Sequence, residues 1–218
     1  MSGSRTALLV KKKAAVPGRV RANPVAKPNS ILDFKGLKAP SQIANARIIM
    51  REFLMAGLPT GVALAAVANA YGESLLNKDA VGDGGLAIGL FQIHPGKGRP
   101  DAAGRRDPAT ASRWIINDEV KTSAGNRLRS TAAAGGTVAD LIRIFCEDIE
   151  RPANASEKGW KRVEWARGFM GPLVDMPSTS LPYGWMLLPA LLPWWMYAIG
   201  STVAVGATAG AVWWATRE

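Results

Sequence analysis

The chain contains one cysteine and one histidine, and these scarcities exclude two kinds of protein. A single thiol, Cys146, cannot form an internal disulfide, so the fold does not depend on an oxidising compartment. The single imidazole, His94, has no second histidine or cysteine at the spacing of metal ligands. We therefore expect neither a disulfide-stabilised fold nor a metal centre, and no cofactor.

Acidic residues are almost absent from residues 1–38. This segment contains nine lysines and arginines but only one acidic residue, Asp33. Prolines interrupt any helix there, so we predict a basic disordered or extended arm. Together with the formal net charge of +10, the arm suits an anionic partner such as nucleic acid or acidic lipid. The apolar stretch at residues 7–10 is too short for a signal-peptide core, so Sec-type export is not expected.

Charged residues are absent from residues 176–216. Prolines break the first part of this stretch, whereas residues 194–214 are uninterrupted. Tryptophan pairs stand at both ends of that run, about 20 residues or roughly 30 Å of helix apart, which matches a bilayer core. We therefore predict that residues 176–218 are a proline-broken linker and a transmembrane helix at about 194–214, with the lipid membrane as partner.

Residues 39–175 carry successive helix signals and one glycine-rich turn. Caps and apolar periodicity predict helices at 41–56, at 59–74, from Asp107, from Thr137 to Pro152, and from Ser156. The turn at 79–85 and the alternating segment at 88–93 predict a short β-hairpin or looped lip. The expected fold is mainly α, in the α+β sense: a helical bundle with this lip beside a groove.

Glu73 stands in the last turn of the helix at 59–74, for which Thr60 is the predicted cap. A carboxylate at the negative end of a helix dipole is disfavoured by about 0.3–1 kcal/mol, which raises its pKa. An apolar wall would raise the pKa further, and a glutamate that stays protonated near neutral pH can act as a general acid. A helical glutamate is usually a solvated surface residue, so the assignment depends on its neighbours.

Those neighbours produce a family resemblance. Glu73-Ser74, followed after a turn by Gly89-Leu90-Phe91-Gln92, resembles the lysozyme-like and lytic transglycosylase superfamily. Asn77, the segments at 68–70 and 80–85, and Phe145 with Ile149-Glu150-Arg151-Pro152 are similar to its phage tail lysozyme branch. The resemblance covers about residues 46–167. Two features depart from the branch: Ile93 stands where a tryptophan often follows the glutamine, and no glutamine is evident at 111–114.

The resemblance implies a lysozyme-like fold with peptidoglycan as substrate and Glu73 as the catalytic residue. It also suggests a substrate-binding set in which Gln92 would hold an acetamido group and Ser74 would orient Glu73 or a sugar hydroxyl. That predicted set consists of Ser74, Asp83, Phe91, Gln92 and His94. Taken without the resemblance, a lone histidine such as His94 is more often an ordinary surface or core residue than a ligand.

Three functions remain open at this point. The first is a lytic transglycosylase that cleaves the MurNAc–GlcNAc bond with Glu73 alone, as acid and then as base. The second is a hydrolytic lysozyme, which needs a second carboxylate, and Asp83 suits that role better than Asp79. The third is a non-catalytic membrane-anchored virion protein that binds the cell wall or nucleic acid.

The expected location follows from combining a wall-cleaving motif with a C-terminal anchor and no signal peptide. Such a chain would stay on the cytoplasmic side unless a virus particle carried it to the wall. We therefore expect a virion protein in a phage particle membrane that acts during genome entry and has virion proteins among its partners. The host inner membrane is the alternative location, and a cellular transglycosylase of a secretion system fits less well.

Overall fold

The computed structural model describes residues 33–182, which form a mainly helical body around one central helix. The central helix, α2, spans Thr60–Ser74, and all of its residues from Thr60 to Ala70 are buried. Its sequence in this stretch is rich in alanine, with five in eleven residues, so neighbouring helices can approach closely. Three of them, α1 (Pro40–Met55), α6 (Val138–Ile144) and α7 (Ala155–Met170), pack against α2.

Shorter elements complete the described body. The remaining helices are α3 (Ala102–Arg106), α4 (Pro108–Ile115) and α5 (Asn126–Ala133). Helices α4 and α6 each continue into a π-helical segment, Ile116–Val120 and Phe145–Glu150 respectively. Single turns of 3-10 helix lie at Asp83–Gly85, Gly171–Asp175 and Ser178–Ser180.

The predicted helix starts are partly confirmed. Asp107 caps α4 by accepting from the Thr110 amide at 2.8 Å. Thr137 and Asp140 form the predicted capping box of α6, with N–H to side-chain oxygen distances of 3.1 and 3.2 Å. The cap predicted at Thr60 is wrong, because Pro59 is the N-cap and the Thr60 hydroxyl donates instead to the Pro182 carbonyl at 2.6 Å.

The starts of the first and last helices also differ from the prediction. Helix α1 begins at Pro40, and the Ala39 amide donates to the Gln42 side chain at 3.1 Å, so Ser41 is not the cap. Helix α7 begins at Ala155 after Asn154, which has a left-handed backbone with φ of 58°, rather than after Ser156. Asparagine tolerates this conformation, which turns the chain sharply into the helix.

The predicted lip is confirmed as a two-stranded antiparallel hairpin. Strand β1 (Val81–Gly82) pairs with β2 (Ala87–Ile88). A bridge between Ile88 and Ile93 then folds the following segment back onto the hairpin. Gly89 is required at this fold, because its φ is +83° and a Cβ atom would collide with the carbonyl oxygen of Arg105.

Arg105 fixes the lip to the helical body. Its side chain is buried, and Nη1 donates to the carbonyl oxygens of Leu86 at 2.8 Å and Ile93 at 2.9 Å. Both carbonyls belong to the lip, whereas Arg105 lies in α3. One guanidinium therefore holds the hairpin and the returning segment in a fixed position relative to α3.

The packed body extends past both boundaries expected for the catalytic domain. Phe34 and Leu37, counted with the arm, are buried in the core, and so is Leu181, counted with the linker. Among residues 33–182, no helix is long and apolar enough to cross a bilayer. The predicted span at 194–214 and nearly all of the basic arm lie outside the described residues, so both stay predictions, as does the three-part division of the chain.

Candidate active site

Helix α2 carries Glu73 from the core to the surface. The helix is buried as far as Ala70, whereas residues 71–74 are half-buried, and the Glu73 side chain is 22% exposed. The helix ends because Leu75 and Leu76 both adopt left-handed backbones, with φ of 54° and 57°. Such conformations are unusual for leucine and persist only where the surrounding structure demands them. Glu73 therefore stands at a fixed and partly solvated helix end.

A buried arginine binds the Glu73 carboxylate. Arg162 of α7 is 3% exposed; its Nη2 donates to Glu73 Oε1 and its Nη1 donates to Asn69 Oδ1. Burial lowers the pKa of Arg162 to about 10, which leaves the guanidinium charged at neutral pH. The wall beside Glu73 is thus not purely apolar, and this partner favours the charged carboxylate.

Two residues of α2 shape the path of the Arg162 side chain. Asn69 is fully buried, and its Nδ2 donates to the carbonyl oxygens of Ala65 at 2.8 Å and Ile142 at 3.1 Å, which orients Oδ1. Gly72 leaves room for the arginine stem, because a Cβ atom there would lie 2.8 Å from both Cγ and Nε of Arg162. Asn69, Gly72 and Glu73 therefore share one face of α2 beneath this side chain.

Ser74 ties the end of α2 to the lip. Its Oγ lies 3.0 Å from the carbonyl oxygen of Ala70, one turn back, and 3.0 Å from that of Leu90 in the Gly89–Gln92 segment. The hydroxyl proton is therefore shared between the helix and the lip. In this structure Ser74 positions the segment beside Glu73, and its predicted contact with substrate stays a prediction.

Gln92 closes the lip upon itself. Its backbone has a φ of 47°, and its Nε2 donates to the carbonyl oxygens of Gly89 at 2.9 Å and Ala80 at 3.4 Å. The side-chain oxygen lies against Gly82, where a Cβ atom would collide with it. The amide nitrogen is thus directed to the lip backbone in this structure, and the predicted role of Gln92 in holding an acetamido group stays a prediction.

Asp83 and His94 form a pair on the exposed surface of the lip. Asp83 Oδ2 lies 2.8 Å from His94 Nε2, and the two side chains are 67% and 44% exposed. Phe91 is different, since it is 3% exposed and packs in the hydrophobic core. Because Phe91 is buried, it is better suited to packing the lip against the core than to contacting substrate. Asp83 and His94 are accessible to solvent.

Comparison with known proteins decides the family. The family model described as phage tail lysozyme matches residues 44–172, which is more than half of the chain. The chain belongs to the phage tail lysozyme family. Membership makes it a lysozyme-like, peptidoglycan-degrading phage enzyme associated with the virion. No curated protein and no solved structure gives a significant match.

The region matched by the tail lysozyme family includes most of α1, all of α2 to α7 and the lip. It thus contains Glu73 and all five residues predicted to bind substrate. In the structure, Ser74 contacts the lip, and Gln92 and the Asp83–His94 pair lie on it. Within residues 33–182, no group of three or more histidine, cysteine, aspartate or glutamate residues is placed to hold a metal ion.

Arg162, Asn69 and Arg105 were missed by reasoning from the sequence. A signal for Arg162 existed, because it falls at helical spacing with the apolar residues Ala166 and Phe169 of α7. Asn69 similarly interrupts an otherwise apolar helix. Polar side chains at core positions need partners, but the sequence does not say which ones.

Proposed function

We propose that this member of the tail lysozyme family is a lytic transglycosylase that cleaves the MurNAc–GlcNAc bond of peptidoglycan with Glu73 as its catalytic group. The observation that carries the proposal is the placement of Glu73. The side chain is partly exposed at the end of the central helix, and Ser74 joins that helix end to the Gly89–Gln92 segment at 3.0 Å. This arrangement puts one carboxylate, a candidate proton donor, beside the lip that carries the predicted glycan-binding residues.

The proposed reaction uses Glu73 twice. Protonated Glu73 first donates its proton to the glycosidic oxygen, so the C1–O bond breaks and GlcNAc leaves as an alcohol. Glu73 is then a carboxylate beside a positively charged sugar, whose charge it helps to stabilise. The C6 hydroxyl of MurNAc attacks C1, and its proton passes to Glu73. The product is a 1,6-anhydro sugar, and the glutamate regains its starting state.

Hydrolysis with Asp83 as second carboxylate is the alternative reaction. A hydrolase needs a group that activates water or stabilises the sugar cation. Asp83 is 67% exposed and already paired with His94 at 2.8 Å. That pairing and exposure are consistent with a surface contact on the lip, and for this reason we favour the single-glutamate route.

A binding protein without catalytic activity is the competing class. Such a protein would retain the fold and the positive charge but would not need Glu73. The variant Glu73→Gln separates the two, because it keeps the shape and removes the proton donor. Binding to peptidoglycan is expected to persist in this variant while cleavage disappears.

The test is digestion of purified peptidoglycan by the full-length chain, followed by mass spectrometry of the soluble fragments. Wild type is compared with Glu73→Gln and with Glu164→Gln, whose side chain is 68% exposed on α7. We expect anhydro-muropeptides from wild type and Glu164→Gln and none from Glu73→Gln. Fragments with reducing ends that are absent from the Asp83→Asn digest would establish hydrolysis instead. If folded wild type releases no fragments, the remaining proposal is the binding protein without catalytic activity.

We further propose that the enzyme acts from the phage particle during genome entry and is anchored to a membrane through residues 194–214. The uncharged stretch between two tryptophan pairs supports the anchor, and the basic residues of 1–38 suit genome or acidic lipid. Flotation of the full-length chain with vesicles, beside a chain truncated before residue 183, tests the anchor. Absence of the protein from purified particles would contradict the virion role.

A further inference from the structure

Arg162 is a buried charged residue on an otherwise apolar helix face, and the stability of the fold does not require a charge at this position. The other members of the inner face of α7, among them Val163, Ala166 and Phe169, are apolar. A buried ion pair is often no more stabilising than apolar side chains of the same volume, although removing one partner is costly. The guanidinium lies instead where it binds Glu73, so its role is best sought in the chemistry of that carboxylate.

The guanidinium is held from both sides. Nη1 donates to Asn69, which is itself fixed by two backbone carbonyls, and Nη2 donates to Glu73. The space above Gly72 accommodates the stem. A planar guanidinium with two fixed contacts cannot follow Glu73 if that side chain rotates, so the carboxylate has one preferred position.

Several other charged side chains on the elements packed against α2 are in ion pairs of their own. On α1, Glu52 pairs with Arg51 and Arg113; on α6, Arg143 lies near Asp140 and Glu147; on α7, Lys161 pairs with Glu157 and Arg167 with Glu164. Arg127 of α5 pairs with Glu147 and Asp148 of the π-helical segment Phe145–Glu150. Within residues 33–182, Arg162 is the charged group found within ion-pair distance of Glu73.

We propose that Arg162 is a positioning residue for Glu73, which stabilises the carboxylate that exists between proton donation and proton recovery. This inference rests on the proposed function and assigns a role to a residue that does not itself react. When Glu73 gives its proton to the leaving oxygen, the new negative charge forms against a guanidinium already in place. The same contact keeps the carboxylate aimed at the sugar until the C6 hydroxyl returns a proton.

The contact has an opposite effect on the resting enzyme. A guanidinium favours the ionised glutamate, and an ionised glutamate cannot donate a proton. Arg162 therefore restricts the acid step at higher pH while it assists the second step. Removal of its charge should slow turnover at the optimum and extend activity to higher pH, and a purely structural residue would not produce that combination.

The experiment measures kcat and KM against pH for the full-length wild type, Arg162→Met and Arg162→Lys. For Arg162→Met we expect kcat about ten- to a hundredfold lower, from the loss of a charge-assisted hydrogen bond. The descending limb of the profile should move upward by about one to three pH units. Arg162→Lys keeps the charge and should lie between the two. Arg167→Met, an exposed arginine of the same helix, is the matched control.

Gly72→Ala provides a second variant if Arg162→Met does not fold. It keeps every charge, but the added Cβ would lie 2.8 Å from two atoms of the arginine stem and so push the guanidinium away from Glu73. We expect the same direction of change as in Arg162→Met. An unchanged descending limb in either folded variant would overturn the proposal.

A readout without turnover separates this inference from the proposed function. The carboxyl 13C resonance of Glu73, followed against pH, reports its ionisation directly in the full-length chain. Its midpoint should be about one to three pH units higher in Arg162→Met than in wild type. If wild type releases no peptidoglycan fragments, the proposed function fails, yet an equal midpoint in the two proteins would still refute the role of Arg162.

Discussion

Ser74 Oγ lies 3.0 Å from the carbonyl oxygen of Leu90, and this contact joins the end of the central helix to the lip. The two residues are 16 positions apart in sequence. The helix end carries Glu73, and the lip carries Gln92 and the Asp83–His94 pair. One hydroxyl thus couples the position of the candidate acid to that of the predicted glycan-binding surface.

The variant Ser74→Ala should uncouple these two parts. We expect a loss of about 0.5–1.5 kcal/mol in the free energy of unfolding, the usual net value of one hydrogen bond. Amide hydrogen exchange of residues 89–93 should quicken, because the lip loses one anchor. Ser130→Ala removes an exposed hydroxyl bonded within its own helix and is the control. Equal exchange of the lip in both variants would show that the contact does not couple helix and lip.

Replacing Arg105 should lower the free energy of unfolding far more than replacing its neighbour Arg106. Arg105→Met removes a charged donor from the Leu86 and Ile93 carbonyls, at an expected cost of about 0.5–1.5 kcal/mol for each lost hydrogen bond. Arg106 makes only an exposed contact within α3, at 3.4 Å, so Arg106→Met should be nearly neutral. Urea unfolding of both variants checks the difference, and similar midpoints would contradict the assigned anchoring role.

Gly89 and Gly98 offer a comparison of backbone strain with steric collision. Both have a positive φ, +83° and +76°, but only at Gly89 does an added Cβ meet another atom, the carbonyl oxygen of Arg105. Alanine at either position bears the strain of the left-handed region, of the order of 1–2 kcal/mol. Gly89→Ala should lose clearly more stability than Gly98→Ala in thermal unfolding. Equal losses would mean that the lip can shift away from α3 without cost.

Glu150 should make stability depend on pH. Its Oε1 is enclosed without a hydrogen-bond partner, and burial raises the pKa of Glu150 from 4.5 to about 8, assisted by the Glu119 carboxylate and opposed by Arg151. Between these two values the folded state binds more protons than the unfolded state. The free energy of unfolding therefore falls as pH rises, by up to about 1.4 kcal/mol per pH unit, and levels off above about pH 8.

Glu150→Gln replaces the ionisable carboxyl group by a neutral amide. This variant should therefore be more stable than wild type at pH 8 and similarly stable at pH 4. Urea unfolding at several pH values gives the difference between the two proteins, which cancels the titration of other groups. Glu164→Gln, an exposed glutamate of α7, should show no such trend. A constant difference between Glu150→Gln and wild type across the range would mean that Glu150 ionises normally in the folded protein.

The sequence by itself determined the helical class, the lip and the position of Glu73 at a helix end. These features are local: apolar spacing of about 3.6 residues, glycine in a turn and a capping box such as Thr137 with Asp140 depend on residues close together in the chain. The resemblance carried by Glu73-Ser74 and residues 89–92 pointed to the family that the comparison then established. Cap positions failed at Thr60, Ser41 and Ser156, because the N-cap residues of these helices are Pro59, Ala39 and Asn154, of which only asparagine is a usual capping residue.

Only the tertiary structure decided which partners complete the site. Arg162 reaches Glu73 across 89 positions of sequence, and Arg105 reaches Ile93 across 12. Both contacts depend on how whole helices pack, and a sequence pattern does not specify that packing. The partners of Gln92 were also not specified by the sequence pattern, because its amide donates to two backbone carbonyls that the folding of the lip brings close. A buried polar side chain must find a partner, but only the assembled fold determines whether that partner is substrate, backbone or the catalytic group.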